Sequence, residues 1–577
     1  MKTRLSFCSL LVLIGIANAE QTVLLEVDGI KDKDLYQNVR IYLSQLSNDD
    51  ADSSERYQQL VQETVDKALR AKGYYNTQYR FELTPRTSSN KDLLTLYVQL
   101  DQPVKLDERE IKITGQAEQD DDFKRLLAKE VPPMGTVLNH ETYDNFKSSI
   151  EKLSQTNGYF DGQWLYHRLE VHPKEYLADW RLGYDSGKRY RYGKIGFKGN
   201  QIREEYLTNI LRIKSGDYYY LNDLSILSND FSSSSWFSSV LVEPSVKQPS
   251  KEVDLDILLI PKKKNDIEVG IGYATDVGPR LQFNWKKPWI NGRGHSLELN
   301  SYLSKPKQRV EFGYKMPVKA QPLHYYYQVS GGLDRENQND TQFTGAYSAF
   351  QRFWNHETGW AFSFGVKTRY DAFEQGSDKF KTFLLYPTAS LNRTRSDGRR
   401  FPLWGDSQKV TINFGDKAFI SEVSFYSFKA STAWVRTYFD NHRIVARAEI
   451  GYLKSAEFER IPPSLRYFAG GDMSVRGFGY KKISPKNNQG KLTGGSHLAT
   501  GSVEYQYQVY PDWWAATFYD TGLSDKKFSG KALHSGAGIG VRWASPIGAV
   551  KFDLAMPVRS PDNKKGLQFY IGLGTEL

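Results

Sequence analysis

The residues of this chain that could do chemistry do not assemble into a catalytic pattern. Its 9 histidines are scattered, and neither a Gly-x-Ser-x-Gly nucleophile turn nor a His-Glu-x-x-His metal motif occurs. The single cysteine, Cys8, lies near the N-terminus. Gly536-Ala-Gly-Ile-Gly540 has the glycine spacing of a phosphate-binding loop, but alternating residues follow it rather than a helix, so it reads as a strand. The remaining constellation is electrostatic. In the Gly-rich stretch Arg466 to Phe478, a lone cation, Arg476, stands between Val475 and Gly477, followed by Phe478. The strands after it carry two acids, Glu504 and Asp520, at positions that can face one interior. A cation on a long loop folded toward buried acids is a lock, and its chemistry is conformational. The chain is therefore expected not to be an enzyme and to need no cofactor or metal.

The elements that must position this lock are strands. From about Asp266 the hydrophobic period becomes two. Ile267, Val269, Ile271 and Tyr273 alternate with Glu268, Gly270 and Gly272, and Val503, Tyr505 and Tyr507 alternate with Glu504 and Gln506. Val550, Phe552, Leu554 and Met556 repeat the pattern. One face polar and one bulky apolar suits a barrel with lipid outside and water inside. Aromatic clusters at strand ends, Tyr325 to Tyr327, Trp354 with Trp360, and Trp513-Trp514, suggest a membrane girdle. Turn signals divide the region into about sixteen strands, an even number that lets an antiparallel barrel close. The longest gap, roughly residues 455 to 497, is the Arg476 loop, long enough to plug or gate the interior. The last strand pattern, Gly566 to Gly574, puts Leu567, Phe569, Ile571 and Leu573 outside, while Gly572 and Gly574 weaken pairing.

Ahead of the barrel the sequence repeats. Gly29, Gly115 and Gly199 each end an apolar strand pattern at a period of about 85 residues. A second marker recurs in step: Gly73-Tyr-Tyr75, Gly158-Tyr-Phe160 and Trp236-Phe237. Each follows a helical face. Tyr57, Leu60, Val61, Val65, Ala68 and Leu69 make the first, and Tyr143, Phe146, Ile150 and Leu153 the second, with Asn139 as N-cap and Gly158 as stop. Leu224, Leu227 and Phe231 make the third. The order per unit is strand, helix, helix, strand, strand, and the marker aromatic is expected to pack the helix onto its own sheet. Small sheets with a free edge can accept a partner strand, which suits docking modules.

The chain has 577 residues, with 37 Tyr, 31 Phe, 12 Trp and 46 Gly, yet it is hydrophilic on average. Residues 1–19 read as a secretory signal peptide: Lys2 and Arg4, an apolar run from Leu5 to Ile16, then Ala17-Asn18-Ala19. The apolar run is too short for a spanning helix. A mature chain without cysteine excludes disulfides and thiolate metal sites. The net charge of +10 arises from 77 basic against 67 acidic residues. That interleaving fits a solvated surface and a polar lumen rather than nucleic-acid binding. The resulting domain plan is repeats at 20–105, 106–187 and 188–264 and a barrel at 265–577.

Repeats, loop and late strands together resemble the superfamily of outer-membrane assembly and two-partner-secretion barrels. Val475-Arg-Gly-Phe478 is similar to its loop motif, Phe518-Tyr-Asp-Thr-Gly522 and Gly538 to Gly548 to its late-strand motifs, and the repeats to polypeptide-transport-associated (POTRA) domains. Three repeats with sixteen strands resemble the translocation-and-assembly-module branch, as do Gly272 to Arg280, Trp285 to Trp289, Trp404 to Gln408 and Leu567 to Gly574. The resemblance implies an α+β POTRA array followed by an all-β 16-stranded transmembrane barrel, with the barrel in the outer membrane and the repeats in the periplasm. It implies pairing of Arg476 with Glu504 and Asp520. It also implies assembly of autotransporters and related outer-membrane proteins, with a TamB-like inner-membrane-anchored partner, outer-membrane lipid and no nucleic acid. The working edge would be a seam between the first and last strands, weakened by Gly270, Gly272, Gly572 and Gly574 and flanked by Ile271, Phe569 and Ile571. A pore exporting an unfolded exoprotein through the lumen is the alternative.

Overall fold

The computed structural model describes residues 23–47, 51–86, 91–275, 277–546 and 548–573. The signal-peptide reading and Gly574 lie outside the described residues. The chain forms two compact units, whose division runs through the third repeat. One is built from residues up to 194 with 214–224 and 244–255, the other from 195–213, 225–243 and 256 onward.

In the first unit, repeat one runs β1 (Val23–Asp28), α1 (Lys33–Leu43), α2 (Glu55–Arg70), β2 (Gln78–Thr84), β3 (Asp92–Gln99). Repeat two runs β4 (Lys105–Thr114), α3 (Asp121–Glu130), α4 (His140–Asn157), β5 (Gln163–His172), β6 (Leu177–Asp185). In both, the last strand lies in the middle of a three-stranded sheet, parallel to the first and antiparallel to the second. The helices begin where sequence chemistry dictates. Asp32, Ser54 and Asn139 accept backbone N–H groups of the first turns of α1, α2 and α4. Gly158 ends α4 at φ +80°, a left-handed cap that suits glycine. Val61, Val65 and Leu69 bury against the first sheet, and Phe146 and Ile150 against Trp180 and Leu182 in the second. Leu60, expected on the same face as Val61, is instead exposed.

The recurring aromatic marker has a different role from the one its position suggests. Tyr159 does enter its own core, but its neighbour Phe160 crosses to Tyr190 and Tyr219, both at 5.2 Å between ring centroids. Tyr75 likewise leaves repeat one, its hydroxyl 2.6 Å from His140 Nε2 in repeat two. The expectation that these aromatics pack their own helix onto its sheet is thus corrected for the second member of the first two markers. It is a joint to the next domain.

The third repeat runs β7 (Arg191–Lys198), α5 (Glu204–Leu207), α6 (Leu221–Ser233), β8 (Phe237–Lys247), β9 (Glu252–Pro261), with sheet order β7-β9-β8. Its marker divides the other way: Phe237 packs on Phe231 of α6 as expected, and the first member, Trp236, donates its indole N–H to the Gly294 carbonyl at 3.0 Å, on a barrel turn.

The barrel has sixteen strands in sequence order, all antiparallel to their neighbours. The first eight are β10 (Asp266–Ala274), β11 (Gly278–Lys287), β12 (Ser296–Ser304), β13 (Lys307–Pro317), β14 (Tyr325–Gln338), β15 (Thr341–Asn355), β16 (Ala361–Gln375) and β17 (Asp378–Ser396). The rest are β18 (Trp404–Gly415), β19 (Phe425–Tyr438), β20 (His442–Ser455), β21 (His497–Tyr510), β22 (Trp513–Asp525), β23 (His534–Ser545), β24 (Gly548–Arg559) and β25 (Gln568–Leu573). The period-two reading carries through: Ile267, Val269, Ile271 and Tyr273 are exposed on the outer face. The aromatic clusters split by the same alternation. Trp513 stacks on Trp543 outside, whereas Trp514 is buried inside; the pair is not wholly a girdle.

At the joint of repeats one and two, burial pushes the His140 imidazole below the ordinary histidine range. A histidine with a depressed folded value contributes stability that is complete above its unfolded value, about 6.5, and is lost as pH falls below it. Lowering the pH from 7.5 to 5.5 is therefore expected to lower the hydrogen-exchange protection factors, taken relative to the intrinsic rate at each pH, at residues 71–76 and 138–143, with His140→Gln removing most of the difference.

Candidate functional site

The connection between β20 and β21, residues 456–496, folds into the barrel instead of projecting from it. Lys481 pairs with Glu336 of β14 at 2.5 Å, and the Leu492 carbonyl accepts Gln375 Nε2 of β16 at 2.7 Å. On the other side Tyr467 donates to the Phe428 carbonyl of β19 at 3.0 Å. Val475 and Phe478 are buried with Leu384, Tyr386, Val423 and Phe425 in one apolar cluster that seats the loop.

Arg476, 1% exposed, is the polar centre of the seat. Its Nε and Nη2 take the two oxygens of Asp520, at 2.7 and 3.0 Å. Nη1 donates to Glu504 at 2.7 Å and to Asp553 at 3.2 Å, and Nη2 to Ser502 at 3.4 Å. The five N–H donors of a guanidinium thus have five acceptors, contributed by β21, β22 and β24. The backbone N–H of Arg476 adds a bond to Asp520 at 3.0 Å. Its guanidinium carbon lies 3.3 Å from the Phe518 ring centre, a cation over an aromatic face.

The structure therefore brings Arg476, Glu504 and Asp520 together and adds two members that sequence reasoning missed. Asp553 is the third acid, and Arg542 of β23 is a second cation, pairing with Glu504 at 2.7 Å and Asp553 at 2.6 Å. Both sit at inward positions of late strands, where period-two alternation alone does not rank one lumen charge above another. Three carboxylates facing two guanidiniums leave each charge paired in a buried setting, the condition under which such groups are tolerated. Gly536, Gly538 and Gly540, the stretch with phosphate-loop spacing, clear the trough. A methyl group at Gly536 would overlap the Arg476 carbonyl oxygen, one at Gly538 the Phe518 ring, and one at Gly540 the Asp553 carboxylate.

The network continues toward the opposite end of the lumen. Gln506 donates to Glu504 at 2.7 Å and accepts from Arg443 at 2.5 Å. Arg443 also donates twice to the Pro402 carbonyl, at 3.0 and 2.8 Å, and lies 4.2 Å over the Phe401 ring. Phe401 is buried against Trp514 and Ala549. The turn 397–403 is thereby drawn inward, opposite the loop.

The seam residues sit beside this lock. The sheet ladder begins at β10 and ends at β25, which lie side by side; among the described residues no ladder joins them. Strand β25 pairs with β24 over six residue pairs, from Val550–Leu573 to Ala555–Gln568. The β15–β16 ladder runs from Thr341–Gln375 to Asn355–Ala361, more than twice as long. Ile271 and Phe569 face outward. Gly270, Gly272 and Gly572 face the lumen. They leave room on the inner side of the seam, where the Arg280 side chain lies against Gly272 and Asp472 of the loop over Gly572.

Glu170, His172 and Asp179 of repeat two bring possible metal-ligand atoms within 4.8 Å of one another. Arg181 stands 3.7 Å from Glu170 and 3.8 Å from Asp179 and already supplies the positive charge.

Comparison with known proteins agrees with this architecture. The Omp85 superfamily domain model matches residues 262–577. The model for POTRA domain TamA domain 1 matches 24–100, and a surface antigen variable number repeat (POTRA) model matches 190–262. The chain is similar to the outer membrane protein assembly factor BamA of Nitratidesulfovibrio vulgaris, 22% identical over 426 residues, covering 68% of this chain and 52% of that protein. It is also similar to BamA of Neisseria meningitidis serogroup B, 21% identical over 495 residues, covering 71% and 60%. The chain thus spans about half the length of these curated relatives, 52% and 60%. Among solved structures, BamA from Haemophilus ducreyi lacking POTRA domains 1–3 has the same fold, with TM-score 0.68, 17% identity, and coverage of 81% of this chain and 99% of that one.

Removing one partner of a buried ion cluster costs about 3 to 5 kcal/mol. Arg476→Ala is expected to leave the barrel assembled but to lower its unfolding midpoint in urea and expose residues 456–496 to protease. Arg476→Lys, which keeps the charge without the five-donor fork, should fall between. Unchanged protease protection in both variants would remove the lock from the account.

Proposed function

The chain belongs to the Omp85 superfamily, its barrel in the outer membrane and its repeats in the periplasm. On that premise we propose that it is a non-enzymatic factor for outer-membrane β-barrel assembly, of the TamA type, serving autotransporters and related proteins. The observation that carries this reading is the open ladder between β10 and β25. Backbone N–H and C=O groups left unpaired at membrane depth are costly, because lipid offers no partner. An incoming strand satisfies them by adding to the edge, with main-chain bonds that do not depend on its sequence. A nucleotide is unnecessary: the free energy comes from pairing and burying the client strand.

Two further features support the finer reading. The first repeat matches the TamA-type POTRA model, which favours a TamB-like inner-membrane-anchored partner at residues 24–100. The Arg476 loop and the inward turn 397–403 both occupy the lumen. That favours work at the seam over threading of an unfolded exoprotein through the interior.

Photo-crosslinking in cells from Ile271, with an autotransporter co-expressed, is expected to capture the client's β-barrel segment. Crosslinks confined to the lumen position Gln506 and reaching an extended passenger would establish the secretion pore instead. Deleting residues 20–105 is expected to abolish co-purification of the TamB-like partner while the barrel still assembles; retained co-purification would move that contact to another repeat.

A further inference from the structure

The last strand is held by side chains that neither the loop motif nor the seam glycines announce. Tyr570 of β25 points inward and is 3% exposed, packed with Phe518 and Ala555. Its hydroxyl accepts the Gly477 N–H at 3.0 Å and donates to the Phe478 carbonyl at 2.8 Å. One hydroxyl thus satisfies a donor and an acceptor of the loop backbone, directly after the locked Arg476. Gly477 has φ +93°, and a methyl group there would crowd the backbone of Met556 and Pro557, so this approach of loop to strand requires glycine.

The other side of the seam is spanned by Arg280. It is the register partner of Gly272 in the β10–β11 pair. Its side chain lies across Gly272: the three nearest atoms to a methyl group at that position would be Arg280 Nε, Cγ and Cδ. Beyond β10, Arg280 Nη2 donates to the Leu573 carbonyl of β25 at 2.7 Å. A side chain from the second strand therefore reaches over the first to hold the last.

Resting on the seam reading above, we propose that Arg280 and Tyr570 are positioning residues that divide the seam into a releasable and a fixed side. Tyr570 binds β25 to the locked loop, and Arg280 is the clip whose single hydrogen bond must break for β10 to separate. The two clips differ in what else supports them. Opening at β10 costs the Arg280 bond, with no described ladder to break. Moving β25 away from the loop costs both Tyr570 bonds and its apolar cluster, whether or not it stays paired with β24. The seam then opens as a hinge of β10 against a stationary β25, and the loop governs the seam through a tyrosine hydroxyl.

The test is hydrogen exchange on the full chain in detergent micelles without client, so that it reads the clips and not the assembly activity. Arg280→Gln is expected to speed exchange across 267–273 by roughly three- to tenfold, the loss of about one net hydrogen bond, with 568–573 and 475–478 little changed. Gly272→Ala keeps Arg280 but pushes its side chain aside, and should reproduce that pattern. Tyr570→Phe keeps the ring and should instead speed exchange across 568–573 and at Gly477, leaving 267–273 unchanged. Identical exchange in all three variants, or Arg280→Gln and Tyr570→Phe giving the same pattern, would overturn the proposal. Client crosslinking from Ile271 is scored separately. Lost crosslinks in wild type with the expected exchange pattern would fault the assembly reading and leave the clips standing.

Discussion

The buried Arg476 cluster is the constraint on which the rest of the barrel depends. A barrel of sixteen strands is wide, and side chains alone do not fill its interior. A long connection must occupy the space, and a connection without regular secondary structure carries backbone groups that need partners. Apolar seating by Val475 and Phe478 gives the loop free energy but no unique register, since hydrophobic contact is non-directional. The guanidinium supplies direction. Its planar fork fits only where Glu504, Asp520, Asp553 and Ser502 converge, so loop and late strands fix each other's positions. Once Arg476 is placed, Gly477 and Phe478 are placed with it, and through them Tyr570 and β25.

That dependence explains how an open ladder is tolerated. A sheet edge is ordinarily a liability that proteins blunt with charge, bulges or cover. Here, among the described residues, no ladder pairs it, and it is held from inside by side chains. Because Arg280 and Tyr570 act from the lumen, the outer face of the seam keeps its apolar residues, Ile271 and Phe569, toward lipid. The side chains that line the seam toward lipid are thus apolar, while its polar holding contacts lie on the lumen side.

Much of this was legible in the residues. The switch to period two, the loop length and the repeat markers defined three α+β units and a barrel of about sixteen strands, and the lone cation with two acids was singled out on charge and spacing. What was not legible required knowing which strands are neighbours across a long connection. Asp553 and Arg542 looked like any other lumen charge until the register placed them beside Glu504. Tyr570 looked like a member of an apolar strand, because a hydroxyl's partners on a loop nearly a hundred residues upstream leave no local pattern. Arg280 and Gly272 became a pair only through the β10–β11 register. The seam glycines were noticed for what they lack across the seam, whereas Gly272 matters for what passes over it. The aromatic marker was read one level too low in the first two repeats: Tyr75 and Phe160 join their domain to the next, whereas Phe237 packs on its own helix, a difference that periodicity does not reveal.

The lumen contacts also bear on how the barrel can work. The polar chain from Arg476 through Glu504, Gln506 and Arg443 to the Pro402 carbonyl spans the interior from the loop to the opposite turn. Each member is buried and bonded on both sides, so withdrawing the loop would strand Glu504 and Gln506 without their partners, a desolvation cost borne by charged and polar groups. Clearing the lumen for a passenger means breaking that chain. Parting β10 from β25 means breaking one bond of Arg280 and leaves the chain intact. Counted over the described residues, the lateral movement breaks fewer buried polar contacts than withdrawal of the loop.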